Sequence, residues 1–191
     1  ILVHVFPGGH TSGGESALQS ARTVEVAEIL WDAGARIQPG RWSDAIDEAF
    51  EDERYDVAEF LLSQLPDGPS RLVTLNQKLM RVSSVNMNPE AIRRLLRLGA
   101  DVNTFDPGLG TPLHYACWQG DGNCGRSDEV VREALGVLLG AGADAARNLP
   151  DRGTPLHEAV AADWGSPTSV AVLLAHGVEE DAIGPGGMTP L

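Results

Sequence analysis

Short blocks of apolar residues recur along the chain at three- and four-residue spacing, the signature of helices that bury one face. Val26, Ala27 and Leu30 form one such stripe, Val57, Ala58 and Leu61 another, and Ala91, Ile92 and Leu95 a third. The blocks end alike: Leu95-Leu96-Arg97-Leu98-Gly99 is matched by Leu138 to Gly142 and by Leu173 to Gly177. Leu30-Trp31-Asp32-Ala33-Gly34 and Leu61-Leu62-Ser63-Gln64-Leu65 follow the same form, with Leu65 where the others have Gly. A Gly at that place suits the left-handed conformation that ends a helix. Helix ends therefore fall at 34, 65, 99, 142 and 177.

A second element precedes each of these helices. Thr111-Pro112-Leu113-His114 recurs as Thr154-Pro155-Leu156-His157, and Thr189-Pro190-Leu191 opens a third copy. Each Thr follows the preceding helix-ending Gly by 12 residues, from 99 to 111, 142 to 154 and 177 to 189. Thr caps a helix and Pro fits its first turn, where no N–H bond is lost. Leu113 and Ala116, like Leu156 and Ala159, then lie on one helical face. Ser16-Ala17-Leu18-Gln19, Asp44-Ala45-Ile46 and Gln77-Lys78-Leu79 stand at the same place in the earlier units. The register predicts an all-α chain of five helix pairs, with first helices near 16–22, 44–52, 77–84, 111–119 and 154–162. One pair this short cannot bury its apolar faces alone, whereas stacked neighbours can.

Thr-Pro-Leu-His-x-Ala and Gly99-Ala100-Asp101-Val102-Asn103 resemble ankyrin repeats, specifically over 91–191 and more loosely over 16–90. The resemblance implies an ankyrin-type solenoid of stacked antiparallel helix pairs with projecting β-hairpin loops. It would span residues 13–191, as five pairs plus the start of a sixth repeat. Residues 1–12 stay unassigned, with Ile1 to Phe6 placed where a preceding repeat would end. The chain opens at Ile1 and stops inside a Thr-Pro-Leu motif, so it reads as a piece of a longer one. The resemblance also implies a partner protein gripped by hairpin tips and by the concave face of the first helices. One unit departs from the pattern: about ten extra residues near Asp121 to Asp128 separate its two helices, and they are expected to form an exposed loop.

Charge narrows the partners. Fourteen Lys and Arg against twenty-seven Asp and Glu leave a formal charge of −13. That argues against nucleic acid, whose binding needs clustered cations. The charge is uneven: Asp44 to Glu59 holds eight acids and one Arg, while Arg71 to Arg97 holds six basic residues and one acid. Solvated helix faces account for such runs more readily than binding surfaces do. Cys117 and Cys124 are too few for a disulfide scaffold and suit a reducing compartment, intracellular and either cytoplasmic or nuclear. No apolar run reaches the length that crosses a bilayer.

Candidate chemistry is sparse. The resemblance gives His114 and His157 a hydrogen-bonding task between neighbouring loops, and nothing in the sequence marks either as catalytic. Cys117, Cys124 and His114 lack the Cys-x-x-Cys spacing of a zinc site, and Cys117 falls where the family places a small buried Ala. Gly9-His10-Thr11-Ser12-Gly13 is a loop, since no strand-rich hydrolase pattern follows it. No catalytic, cofactor or metal residue is expected, and the chain is read as a non-enzyme. Partner contacts are expected from Trp118 first, with Gln119, Phe105, Trp164 and Met188 around it. By the resemblance Trp118 faces the concave groove; the alternative is packing beneath the inserted loop. The function read from the sequence is a protein-interaction module. The alternatives are a structural spacer, or a recruiting domain of an enzyme whose catalytic part lies outside these residues.

Overall fold

The computed structural model describes residues 17–38, 40–65, 68–84, 87–118, 127–161 and 166–190. Among the described residues there are nine α-helices, a short 3-10 turn at Pro185–Gly187 and no β-strand. The chain divides into two compact units, Ile1–Pro66 and Asp67–Leu191.

The first unit carries α1 (Val24–Asp32), α2 (Trp42–Glu51) and α3 (Tyr55–Ser63). Both α1 and α2 pack on α3. The helix expected at 16–22 is not there: residues 17–20 form a turn. Leu18 and Ala21 are still buried, at 0% and 2% exposure, so the register is kept without the helix. Two causes are visible. Thr23 takes an extended conformation to cap α1, its hydroxyl accepting from the Val26 amide, which leaves little chain for another helix. The Arg54 guanidinium also donates to the Gln19 and Ala21 carbonyls at 2.8 and 2.7 Å, drawing on acceptors that a continuing helix would use.

The second unit holds α4 (Pro69–Ser84), α5 (Pro89–Arg97), α6 (Pro112–Cys117), α7 (Asp128–Gly140), α8 (Pro155–Ala161) and α9 (Pro167–Ala175). The helices pair as α4 with α5, α6 with α7 and α8 with α9. First helices then pack on first helices, α4 to α6 to α8, and second helices on second helices, α5 to α7 to α9. The repeat register places the core. Leu79, Leu113 and Leu156, at one position of the first helices, are all 0% exposed, as are Leu95, Leu138 and Leu173 of the second. Burying a Leu of this kind stabilises by about 1.5–3 kcal/mol.

Helix ends follow the sequence. Gly34, Gly99, Gly142 and Gly177 all take the left-handed conformation, with φ between 82° and 96°. After them Ala35, Ala100, Ala143 and Val178 donate back to the carbonyls of Leu30, Leu95, Leu138 and Leu173, closing the last turn. Boundaries shift elsewhere. The expected 77–84 helix begins eight residues earlier, at Pro69, because Gly68 and Pro69 form a good helix start. The expected 111–119 helix stops at Cys117, since Trp118 is extended with ψ 106°. Of the inserted segment, 121–126 lies outside the described residues, whereas Ser127 caps α7 and Asp128 opens it; that end is helix, not loop. The expected hairpins are tight turns closed by single antiparallel bridges, Asp106 to Gly110 and Leu149 to Gly153, with no paired strands among the described residues. Residues 1–16 lie outside the described residues, and with them the readings of Ile1 to Phe6 and of Gly9 to Gly13.

Candidate partner-binding groove

Two histidines hold the loops of the second unit in order. The Thr111 hydroxyl lies 2.8 Å from His114 Nδ1, and His114 Nε2 donates to the Gly153 carbonyl of the next loop at 3.2 Å. His157 repeats this with the Thr154 hydroxyl at 2.9 Å and the Met188 carbonyl at 3.2 Å. Burial holds the His114 pKa below the ordinary imidazole value, its hydrogen bonds opposing that only in part. The ring is therefore a neutral structural tie. Gly153 must be Gly here: its φ is +79°, and an added Cβ would stand 2.6 Å from the His157 ring. Asn103 adds a second tie, donating to the Gly142 carbonyl at 3.0 Å and accepting from the Asp144 amide at 2.8 Å.

On this scaffold a groove of about 740 Å³ opens between α4, the loop 104–109 and α6. Val73, Asn76, Gln77 and Met80 form one wall, with Arg81 and Ser84 beyond them. Thr104, Phe105, Asp106 and Leu109 form the other, and Tyr115 of α6 closes the end. Val73 and Phe105 are 53% and 48% exposed, a large apolar area for side chains held on ordered backbone. The Arg147 guanidinium sits 5.3 Å from the Phe105 ring centre.

A layered stack adjoins the groove at Tyr115. The Tyr115 and Trp118 rings lie 5.9 Å apart and 15° from parallel. The Arg152 guanidinium covers the Trp118 ring at 5.6 Å. Glu158 fixes that guanidinium, Oε1 accepting from Nη1 at 3.0 Å. Burial raises the Glu158 pKa, and Arg152 works against that rise. Cys117, fully buried beneath, has its thiol pushed far up by burial and then by Glu158, which leaves it unreactive.

The expected contact residues are not brought to one place. Phe105 lines the groove, and Trp118 flanks it as a half-buried ring between Tyr115 and Arg152. Met188 is 68% exposed but belongs to the loop that receives His157, outside this groove. Gln119 and Trp164 lie outside the described residues, as does Cys124. The α4 wall was not expected from the sequence; the signal available was the pair Leu72 and Val73, apolar yet set beyond the stripe of Leu75, Leu79 and Val82. A second groove of about 500 Å³ runs between α7 and α9 past Gly136, Gly140 and Ala171, and holds none of the expected residues. Among the described residues no cluster of three or more His, Cys, Asp or Glu is placed to hold a metal, and no helix is long and apolar enough to cross a membrane. No protein-family model matches the chain, and no curated protein matches it either.

Proposed function

We propose that this chain is a non-catalytic protein-interaction module of ankyrin type, and that it seats a segment of a partner protein in the groove between α4, the loop 104–109 and Tyr115. The observation that carries the reading is the groove itself: exposed Val73 and Phe105 face an open volume large enough for several side chains. Two features support the ankyrin reading, the equal Gly-to-Thr spacing and the pairing of helices into two parallel rows in the second unit. The loop 104–109 is closed by the Asp106–Gly110 bridge and braced at its start by Asn103, which gives the groove a fixed wall and lowers the ordering cost of binding.

The test is affinity capture of partners by the full chain, followed by binding measurements with Phe105→Ala and Trp118→Ala. Phe105→Ala is expected to weaken binding about thirtyfold, the size of a hot-spot loss of about 2 kcal/mol, while remaining folded. Trp118 is expected to matter less, because Tyr115 and Arg152 cover part of its ring. A captured partner that binds Phe105→Ala and Val73→Asp as well as the parent chain would overturn the groove as the site.

A further inference from the structure

We propose that Arg152 and Glu158 form a latch over the Trp118 ring, which a proton on Glu158 releases to bare an aromatic face beside the groove. The latch itself does not need the groove to be the partner site; only what it regulates there rests on that reading. Its parts touch in series. The Arg152 guanidinium lies 5.6 Å from the Trp118 ring centre, and its Nη1 donates to Glu158 Oε1 at 3.0 Å. Trp118 stacks in turn on Tyr115, which closes the end of the groove.

Two contacts hold the guanidinium, and they are unequal. A hydrogen bond between ionised groups is worth more than a cation resting on a part-exposed ring. Glu158 therefore holds Arg152 in place, and the Trp118 ring alone does not offset the rotamer freedom that an ordered Arg gives up. Exposure decides which partner moves. The Glu158 side chain is 8% exposed and the Arg152 side chain 27%, so the cation has a way to water that the carboxyl lacks. Once a proton neutralises Glu158 the charge-assisted bond is gone. The uncharged carboxyl stays buried at little cost, and the guanidinium turns out to solvent. Trp118 stays behind, stacked on Tyr115.

The surroundings leave this proton to Glu158. Its helix α8 packs on α6 and α9, and α9 carries no titratable side chain between Pro167 and Ala175. On α6, burial holds the His114 ring below the ordinary imidazole value, Tyr115 belongs to the stack, and the Cys117 thiol is pushed far up by burial and then by Glu158. His157, beside Glu158 on α8, is tied to the Thr154 hydroxyl and the Met188 carbonyl, and it acts on Glu158 less than Arg152 does. Asp151 in the turn is exposed. Burial acts on Glu158 most and raises its pKa, with Arg152 opposing.

The test is nuclear magnetic resonance on the isotope-labelled full chain with no partner added. At pH 7 the parent should show Arg152 side-chain protons close to the Trp118 indole. Acidification should abolish that contact at the midpoint where the Glu158 carboxyl carbon titrates, above the ordinary 4.5. Glu158→Gln should lack the contact already at pH 7, with no further change on acidification. Arg152→Gln should give the Trp118 indole at pH 7 the shift that the parent reaches at its acid limit, a reading that stands even where Glu158→Gln does not fold. Indole added as a probe should move the Trp118 resonances more in both variants than in the parent at pH 7. Backbone amide spectra establish that each chain is folded. An Arg152 contact that persists in Glu158→Gln, or that outlasts protonation of Glu158 in the parent, would overturn the latch. Equal responses to indole in all three chains would overturn the bared face. Neither result touches the groove, which Phe105→Ala tests separately.

Discussion

At the residue scale, His114 is the side chain whose protonation state the fold decides. Nε2 donates to the Gly153 carbonyl, so Nδ1 is left to accept from the Thr111 hydroxyl, and the neutral ring satisfies both bonds. Protonation puts a second N–H on Nδ1 and a charge in a site with 0% exposure. The folded pKa is depressed below the ordinary value of 6.5. The unfolded chain therefore takes up the proton first as pH falls, so the stabilisation is complete above 6.5 and is lost on descending through the folded pKa. Urea unfolding at pH 7.5 and at pH 5.0 checks this. The parent chain should lose stability between them, and His114→Gln should start lower at pH 7.5 and lose less on acidification. An equal loss in the two proteins would assign the acid sensitivity to other groups. The tie was legible in the sequence, because Thr-Pro-Leu-His places Thr and His three apart at a helix start and the resemblance supplied its direction. Glu158 was not legible. A Glu within Pro155–Ala161 reads as solvated until Arg152, from the preceding turn, is seen to cover it.

At the element scale, caps divide what the sequence specifies from what packing adds. Asn88 accepts from the Glu90 amide at 3.0 Å and from the Ala91 amide at 3.2 Å, holding the start of α5 against Pro89. Asn88→Ala should cost about 1 kcal/mol, read as a shift of the urea midpoint at constant slope. No shift would mean that water takes over both amides. Helix ends were the most legible feature, since Gly34, Gly99, Gly142 and Gly177 act through backbone conformation within a few residues. Leu65 lacks that freedom, yet α3 still ends at Ser63. Helix starts without a Thr-Pro were harder to read. α4 runs from Pro69, and its first turns expose Leu72 and Val73, so apolar spacing there does not mark a buried stripe. That ambiguity also hid the α4 wall of the groove. In the first unit Leu18 and Ala21 keep their buried register while the backbone only turns, because burial follows side-chain pattern and helicity needs length as well.

At the scale of the whole molecule, the second unit is a row in which the α6–α7 pair packs on the α4–α5 pair on one side and on the α8–α9 pair on the other. Its stability is then close to a sum of intrinsic pair terms and interface terms. Leu138 and Leu173 test this, because they hold the same register position, four residues before Gly142 and Gly177, and both are 0% exposed. Leu138 belongs to α7, which packs on α5, α6 and α9. Leu173 belongs to α9, which packs on α7 and α8. Each Leu→Ala change removes the same atoms and leaves a cavity costing about 2–5 kcal/mol. In Leu138→Ala that loss falls between pairs on both sides, so the main urea transition should move down as one. In Leu173→Ala it falls on the α8–α9 pair, which packs on the α6–α7 pair alone within the second unit's rows and can open while α4 to α7 stay packed. Hydrogen exchange should then show α8 and α9 losing protection well before α5 and α7, with the main transition moved little. Equal shifts of one common transition in the two variants would show that the row unfolds as a single body and that the nearest-neighbour description fails.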